Sequence, residues 1–276
     1  MKAKNILLLI AILIPFYGIS VKTEKINKAK EGVFTITSPP ADLKFDPFYK
    51  KYVNVNGIHI MSSYRVPDSA FYVACNIVDF MTKNLPGKVL KQMVKMNARL
   101  GIMARYEGTT DIPEHAYLAN DTTLNWDLRA RGLGGDMDLP LTTCAEENLL
   151  AYQIDKYHAE DILIHEFAHA IHLIGIAPID STFNNLLQEK LDNAIAKGKY
   201  KKMYAATDIY EYWAEGVQNW FNVNAEVKVP DGKHNWVNTR EDMKKYDPDL
   251  YEIVARYFPK FEKSPSRHST ANLYRE

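Results

Sequence analysis

The chain has 276 residues, of which 46% are hydrophobic and 25% charged, so it can bury a substantial core in one large domain or two small ones. Its 34 Lys and Arg residues balance 34 Asp and Glu residues, and no basic block stands out, which argues against a nucleic-acid partner. A 12% aromatic content and the lack of low-complexity tracts place it outside the disordered class.

The N-terminus has the pattern of a secretory signal peptide. Lys2 and Lys4 precede an apolar run over residues 6–16, and small residues follow up to Ser20. The run is too short to span a membrane comfortably, so we predict cleavage near Ser20 and removal of residues 1–20. The mature protein is then expected to be secreted or otherwise extracytoplasmic, with no stable membrane insertion. An uncleaved anchor is the alternative.

The first half of the mature chain mixes strand and helix patterns. The predicted parts are, in order, a peripheral segment over 21–45 with a short strand at 32–37, a loosely alternating stretch over 53–64, an amphipathic helix over 68–82, a short helix over 89–97, a strand over 100–106 and a long irregular connection over 107–141. Connections of that length are often functional.

Cys75 and Cys144 are the two cysteines. In a chain expected to reach an oxidising compartment, the simplest interpretation is one disulfide between them that closes a long loop. Free buried thiols are the alternative.

Helices are predicted to dominate the second half. They cover 158–173 before Gly175 and Pro178, a segment capped by Ser181 that ends near Gly198, a segment from 207 or 208 to about 221, and one or two helices over 239–258 with Asp247-Pro248 as cap and first turn. The fold class expected from this order is α+β, with a small mixed sheet in the N-terminal half and a mainly helical C-terminal half.

The helix predicted over 158–173 contains an HExxH motif, with His165, Glu166 and His169. Two histidines four residues apart share one helical face and can reach a single zinc ion, with the glutamate beside them as general base. Residues 162–176 are otherwise apolar or small, which indicates a buried helix. Buried polar groups without partners would cost about 1 to 3 kcal/mol each, and a metal ion would satisfy several of them.

The alternative for this motif is a pair of core histidines bonded to backbone or carboxylate groups. His172 falls on the same face as His165 and His169, one turn further on. We predict a structural or ligand-supporting role for it.

A catalytic zinc ion needs a third protein ligand and one open position. Asp208, Glu211 and Glu215 lie on one face of the helix that starts near 208, opposite an apolar face. Either Glu211 or Glu215 can be the ligand. We predict Glu211, because Glu215 one turn later can accept the free ring N–H of a ligating histidine. A solvated acidic face is the alternative.

The sequence HEFAHAIH from His165, followed by Tyr204 and by EYWAE from Glu211, resembles the catalytic domain of anthrax lethal factor and its relatives, a gluzincin-type family of zinc peptidases. The similarity covers only residues 161–221. It implies a zincin-like catalytic domain over 46–276, one zinc ion per chain and a peptide or protein substrate. It implies zinc ligands at His165, His169 and Glu211, the general base at Glu166, a supporting carboxylate at Glu215 and an oxyanion-stabilising phenol at Tyr204.

The sequence therefore predicts a secreted zinc metallopeptidase with Glu166 as general base. Two other functions fit the same motif: a non-catalytic secreted binding module on a zincin scaffold, and a zinc hydrolase of a non-peptide amide such as that of a cell wall. The strand over 100–106 is a candidate edge strand for aligning an extended peptide. His115, His234 and Arg240 are further candidates for the cleft, and the oligomeric state is left open.

Overall fold

The computed structural model describes residues 34–269. The predicted signal peptide over 1–20 lies outside the described residues. Of the predicted strand at 32–37, only an isolated bridge between Thr37 and Tyr52 falls within them. The fold is α+β, with a small mixed sheet built from the first half of the chain and helices in the second half, as predicted.

The sheet has five strands in the order β1-β2-β3-β5-β4. They are β1 Lys51–Val55, β2 Ile58–Ser62, β3 Arg99–Met103, β4 Gly132–Leu133 and β5 Leu141–Ala145. β3 pairs in parallel with β2 and β5, whereas β1 with β2 and β4 with β5 are antiparallel. The prediction of an edge strand over 100–106 is therefore wrong, because β3 is central and buried over most of its length. The edge strands are β1 and β4.

The stretch predicted as loosely alternating over 53–64 is a hairpin rather than one strand. Asn56 and Gly57 form its turn with φ of 53° and 91°, so both central residues have positive φ. Asn-Gly is the residue pair that this kind of two-residue turn favours. The turn pairs β1 with β2 in antiparallel register, with Val55 opposite Ile58.

Nine α-helices lie within residues 34–269: α1 Asp68–Thr82, α2 Gly87–Lys95, α3 Trp126–Arg129, α4 Glu146–Leu149, α5 Ile162–Ala170, α6 Phe183–Ala196, α7 Ile209–Trp220, α8 Arg240–Tyr246 and α9 Pro248–Ala255. None of them combines the length and apolar character that a membrane crossing requires. Asp247 caps α9 and Pro248 opens it, as predicted. The predicted cap Ser181 is not one, because α6 starts after Thr182.

Helix α5, which carries the HExxH motif, starts at Ile162 rather than at the predicted 158. Asp161 is its N-cap, and its carboxylate accepts the Ile164 N–H at 3.0 Å. His158 has φ of 50° and cannot belong to the helix. The helical path continues beyond α5 as a π-helix over Ile171–Ile176. The helix is buried against the sheet and α7, and the Trp213 indole donates to the Ala168 carbonyl at 2.9 Å.

The expected disulfide between Cys75 and Cys144 is absent, and both thiols are free. Cys75 lies on α1 and Cys144 on β5, and both are fully buried in the main core, where they pack as small apolar side chains. Burial raises the pKa of the Cys75 thiol to about 12 and also raises the pKa of Cys144. Neither thiol is therefore reactive in the folded chain.

Candidate metal centre

Helices α5 and α7 bring His165, His169 and Glu211 to one point. The two Nε2 atoms of the histidines lie 3.2 Å apart. Oε2 of Glu211 lies 3.1 Å from Nε2 of His165 and 3.6 Å from Nε2 of His169. Both histidines are buried, being 7% and 8% exposed. The predicted ligand set is thus adjacent in space, with three ligand atoms facing one another.

A metal ion fits these residues. Oε2 of Glu211 is buried and accepts no hydrogen bond from any residue within 34–269. A buried carboxylate oxygen without a partner is costly, and a cation held between it and the two imidazole nitrogens would satisfy it. Two histidines and one carboxylate, with a fourth position open, form a donor set that catalytic zinc sites use.

The charges of the site are strongly coupled. Burial opposes protonation of His165, but the Glu211 carboxylate, aided by Glu166, outweighs it and raises the pKa of His165 to about 10. Burial also opposes ionisation of Glu211, but the two histidines hold its pKa well below the usual value. Without a metal, a proton on His165 therefore takes the place that a cation would fill.

Gln218 fixes the orientation of His165. Its Oε1 lies 2.8 Å from Nδ1 of the histidine, and its own amide donates to the Asp161 carbonyl at 3.3 Å. Because that carbonyl takes the amide N–H, Oε1 is left to accept from Nδ1, which frees Nε2 for a metal. This role had been predicted for Glu215. Gln218 was missed, although it follows Glu211 by two helical turns on the same face.

Glu215 is buried but contacts a different group. Nδ2 of Asn224 donates to its Oε2 at 2.7 Å. Ligand atoms of Glu160, Glu215 and His234 all lie within 4.8 Å of one another, and Nε2 of His234 is 3.3 Å from Oε1 of Glu160. Glu215 is thus part of a second cluster of carboxylates and histidine.

His172 takes the structural role of the two that were predicted for it. Its Nε2 lies 2.7 Å from Oδ1 of Asn184, and its ring packs against Phe183, Tyr210 and Trp213. Burial lowers the pKa of His172 to about 4, so the ring is neutral. It connects the π-helix to α6.

Strand β4 covers the site from the sheet edge. The carboxylate of Glu166 lies within 4.8 Å of the ligand atoms of both histidines. A Cβ at Gly132 would stand 3.1 Å from Cγ of Glu166, and a Cβ at Gly134 would stand 2.7 Å from Cβ of His169. Only glycine permits this approach of strand to helix. The sequence analysis assigned these glycines to an irregular connection and missed their role.

Arg131 anchors the start of β4. Its guanidinium makes two hydrogen bonds to the Glu147 carboxylate, at 2.6 and 3.0 Å, and donates to the carbonyls of Glu107 and Ala104. A paired arginine of this kind holds a fixed geometry. The strand that faces Glu166 is therefore held rigidly.

Tyr204 lies in a single 3-10 turn, Tyr204–Ala206, just before α7. Its phenol donates to Oε1 of Glu211 at 3.0 Å, and its ring stacks on His165 with centroids 6.3 Å apart. Burial and the Glu211 carboxylate raise the pKa of Tyr204, so the phenol stays protonated and can donate. Tyr204 is thus within the site, although it isn't on the helix itself.

Two other candidates from the sequence, Arg240 and His115, lie in other parts of the fold. Arg240 lies over the rings of Trp220 and Phe261 and donates to the Phe261 carbonyl at 3.1 Å. His115 is buried in the 3-10 segment Pro113–Asn120, and burial lowers its pKa.

Comparison with known proteins does not assign this chain to a family. No protein-family model matches the chain, and no curated protein matches it. Among solved structures, the Pro-Pro endopeptidase PPEP-2 from Paenibacillus alvei is similar with a TM-score of 0.47 and 17% identity, over 71% of this chain and 96% of that one. A likeness this distant assigns neither a family nor a substrate, and the resemblance to lethal factor stays a prediction.

Proposed function

We propose that the protein is a zinc-dependent metallopeptidase with one metal ion per chain. The observation that supports this best is the buried, unpartnered Oε2 of Glu211, which faces the Nε2 atoms of His165 and His169. Glu166 lies beside the two histidines, where a general base is needed. The Nε2 atoms of both histidines and this carboxylate oxygen converge on one point, which is the arrangement that the ligands of a single metal ion take.

Zinc, when bound, would lower the pKa of a water molecule and polarise the scissile carbonyl. Glu166 is placed to take the proton of that water and deliver it to the leaving amine. Burial raises the pKa of Glu166, which makes its carboxylate a stronger base than an exposed one. The phenol of Tyr204 is the donor available to the oxyanion that develops on the carbonyl oxygen.

The substrate proposed is a peptide or protein. Of the two edge strands, β4 is the one that lies next to Glu166, so an extended peptide would pair there and not at the central β3. We further propose an extracytoplasmic location, which rests on the predicted signal peptide alone.

The decisive experiment replaces Glu166 by Gln. The variant should bind zinc in the same ratio as the unmodified chain and lose about 10²- to 10⁴-fold of its hydrolysis of casein or a peptide library. Glu189→Gln is the matched control, because Glu189 is an exposed glutamate on α6 that pairs with Lys190. Unchanged activity in Glu166→Gln contradicts the mechanism.

Zinc content and peptide cleavage together distinguish the proposed function from the two alternatives. A purified chain without stoichiometric zinc would indicate the non-catalytic binding module. A chain that binds zinc but leaves the peptide library uncut would indicate a hydrolase of a non-peptide amide.

A further inference from the structure

The cluster of Glu160, Glu215 and His234 joins three separate parts of the chain. Glu160 directly precedes the N-cap of α5, Glu215 is on α7, and His234 is on the loop that follows α7. The His234 and Glu160 side chains are 10% and 14% exposed, and Glu215 is 5% exposed. Charged groups so little exposed are held in place by one another.

The loop from Asn224 to His234 returns to Glu215 at both ends. At its start, Asn224 donates to Glu215 at 2.7 Å. At its end, the His234 ring lies within 4.8 Å of a Glu215 oxygen and 3.3 Å from Glu160. The Val227 N–H donates to the Asn235 carbonyl at 2.9 Å and closes the loop. The position of the loop is therefore set by α7 and by the start of α5.

Lys233, the neighbour of His234, contacts the Tyr204 turn. Its carbonyl accepts the Tyr204 N–H at 3.1 Å. Oδ1 of Asp231 accepts the N–H groups of Lys233 and His234, both at 2.8 Å, which fixes the orientation of this peptide. A direct path thus runs from the His234 ring to the backbone of Tyr204, whose phenol reaches Glu211.

We propose that His234 is a positioning residue for Tyr204, acting through Lys233 and held by Glu160 and Glu215. This rests on the proposed function, because the role of Tyr204 does. The ion pair of His234 with Glu160 holds the loop against the N-terminal end of α5, and α5 carries the metal-binding histidines. The position of Tyr204 relative to these histidines is thereby fixed. Without the tie, the Tyr204 N–H loses the fixed position of its acceptor, although Ala205 in the core and the stacking of the Tyr204 ring on His165 still hold the 3-10 turn.

A second metal ion at this cluster is a competing interpretation, since the atoms are of ligand type. The cluster differs from the catalytic one, however. It offers one histidine instead of two, and Nδ2 of Asn224 donates to the Glu215 carboxylate at 2.7 Å. We therefore expect the cluster to contribute no bound ion.

The first test measures hydrogen exchange in the purified full chain and needs no activity. His234→Ala should speed amide exchange over residues 203–207 by about tenfold or more, because the Tyr204 N–H loses its fixed acceptor. His234→Gln keeps a donor near the Nε2 position and should restore much of the protection. His158→Asn is the control, because His158 is an exposed histidine with a positive φ that Asn tolerates.

The second test is a double-mutant cycle on peptide hydrolysis. His234→Ala should lower kcat by about tenfold with little change in KM, since misplacement of a catalytic group slows the chemical step. In a Tyr204→Phe background, the same change should cost almost nothing more. Glu160→Gln should repeat both results and serves if His234→Ala does not fold.

Three results would overturn the proposal. They are an equal loss of kcat with and without Tyr204, unchanged exchange over 203–207 in the His234 and Glu160 variants, and a second zinc ion per chain that His234→Gln removes. Loss of the proposed function is a separate outcome, shown by a wild-type chain that cuts no peptide while the exchange result still holds.

Discussion

Two clusters of histidine and carboxylate lie near each other, one between α5 and α7 and the other between α7, the residue before the N-cap of α5 and the loop after α7. In the first, Oε2 of Glu211 is buried without a hydrogen bond between His165 and His169. In the second, Glu160 and Glu215 each contact a protein donor, His234 and Asn224. Ligand-type atoms within a few ångströms do not alone define a metal site. What distinguishes the first cluster is that the Nε2 atoms of two histidines converge on one buried carboxylate oxygen, whereas the second cluster has a single histidine.

The largest effect should come from removing a ligand of the first cluster. His169→Ala is expected to weaken zinc binding by about a thousandfold or more, because it removes one of only three protein ligands of the ion. Glu160→Gln, in the second cluster, should leave zinc binding near that of the unmodified chain. Competition with a chromophoric chelator measures both. Equal losses in the two variants would remove the distinction between the clusters.

A smaller effect is expected from the residue that orients His165. Gln218→Leu should lower zinc affinity by about 10- to 100-fold, the usual cost of losing a partner of a ligating histidine. Glu215→Gln is the control, since the structure pairs Glu215 with Asn224 instead. The same chelator assay applies. A larger loss in Glu215→Gln than in Gln218→Leu would restore the role that the sequence predicted for Glu215.

Gly134, which directly follows β4, tests how closely this part of the chain covers the first cluster. Gly134→Ala should destabilise the fold by about 1–3 kcal/mol, as overpacking against His169 forces strand and helix apart. Gly87→Ala, where a Cβ meets nothing within 4 Å, should be neutral or slightly stabilising. Urea unfolding of the metal-free chains compares them. Equal stabilities would show that the strand does not lie on α5.

The pH dependence of zinc binding should report the proton on His165. Its pKa of about 10 without metal means that the ring is protonated at pH 7 and must lose that proton to bind zinc. Affinity should therefore rise about tenfold per pH unit between pH 7 and 9. Calorimetry in two buffers of different ionisation enthalpy should find about one proton released per zinc ion at pH 7. Binding without proton release would contradict the assigned charge state.

Elements with a complete local pattern were predicted closely. The bounds of α1 agree with the prediction over 68–82, and the Asp247-Pro248 pair opens α9 as expected. Periodicity and capping act within a few residues of the chain, so a sequence shows them directly. The hairpin turn at Asn56-Gly57 was missed, although its signal, an Asn-Gly pair, is equally local.

Pairings between distant segments were not predictable in the same way. β3 is buried between two parallel neighbours, and a short apolar run does not show whether a strand is central or at an edge. The prediction of a disulfide was wrong for a related reason, since the spacing of Cys75 and Cys144 along the chain does not determine their distance in space.

By itself, the sequence determined that His165 and His169 share one face with Glu166 beside them, because helical geometry places residues four apart together. It also narrowed the third ligand to two glutamates on one helix. Only the packing of α7 against α5 decided between them. In that packing, Glu211 contacts the histidine pair and Gln218 contacts Nδ1 of His165. Glu215 instead contacts Asn224 and lies beside His234 on the loop after α7. The distance and angle between two helices depend on the side chains packed between them, which no spacing within either helix contains.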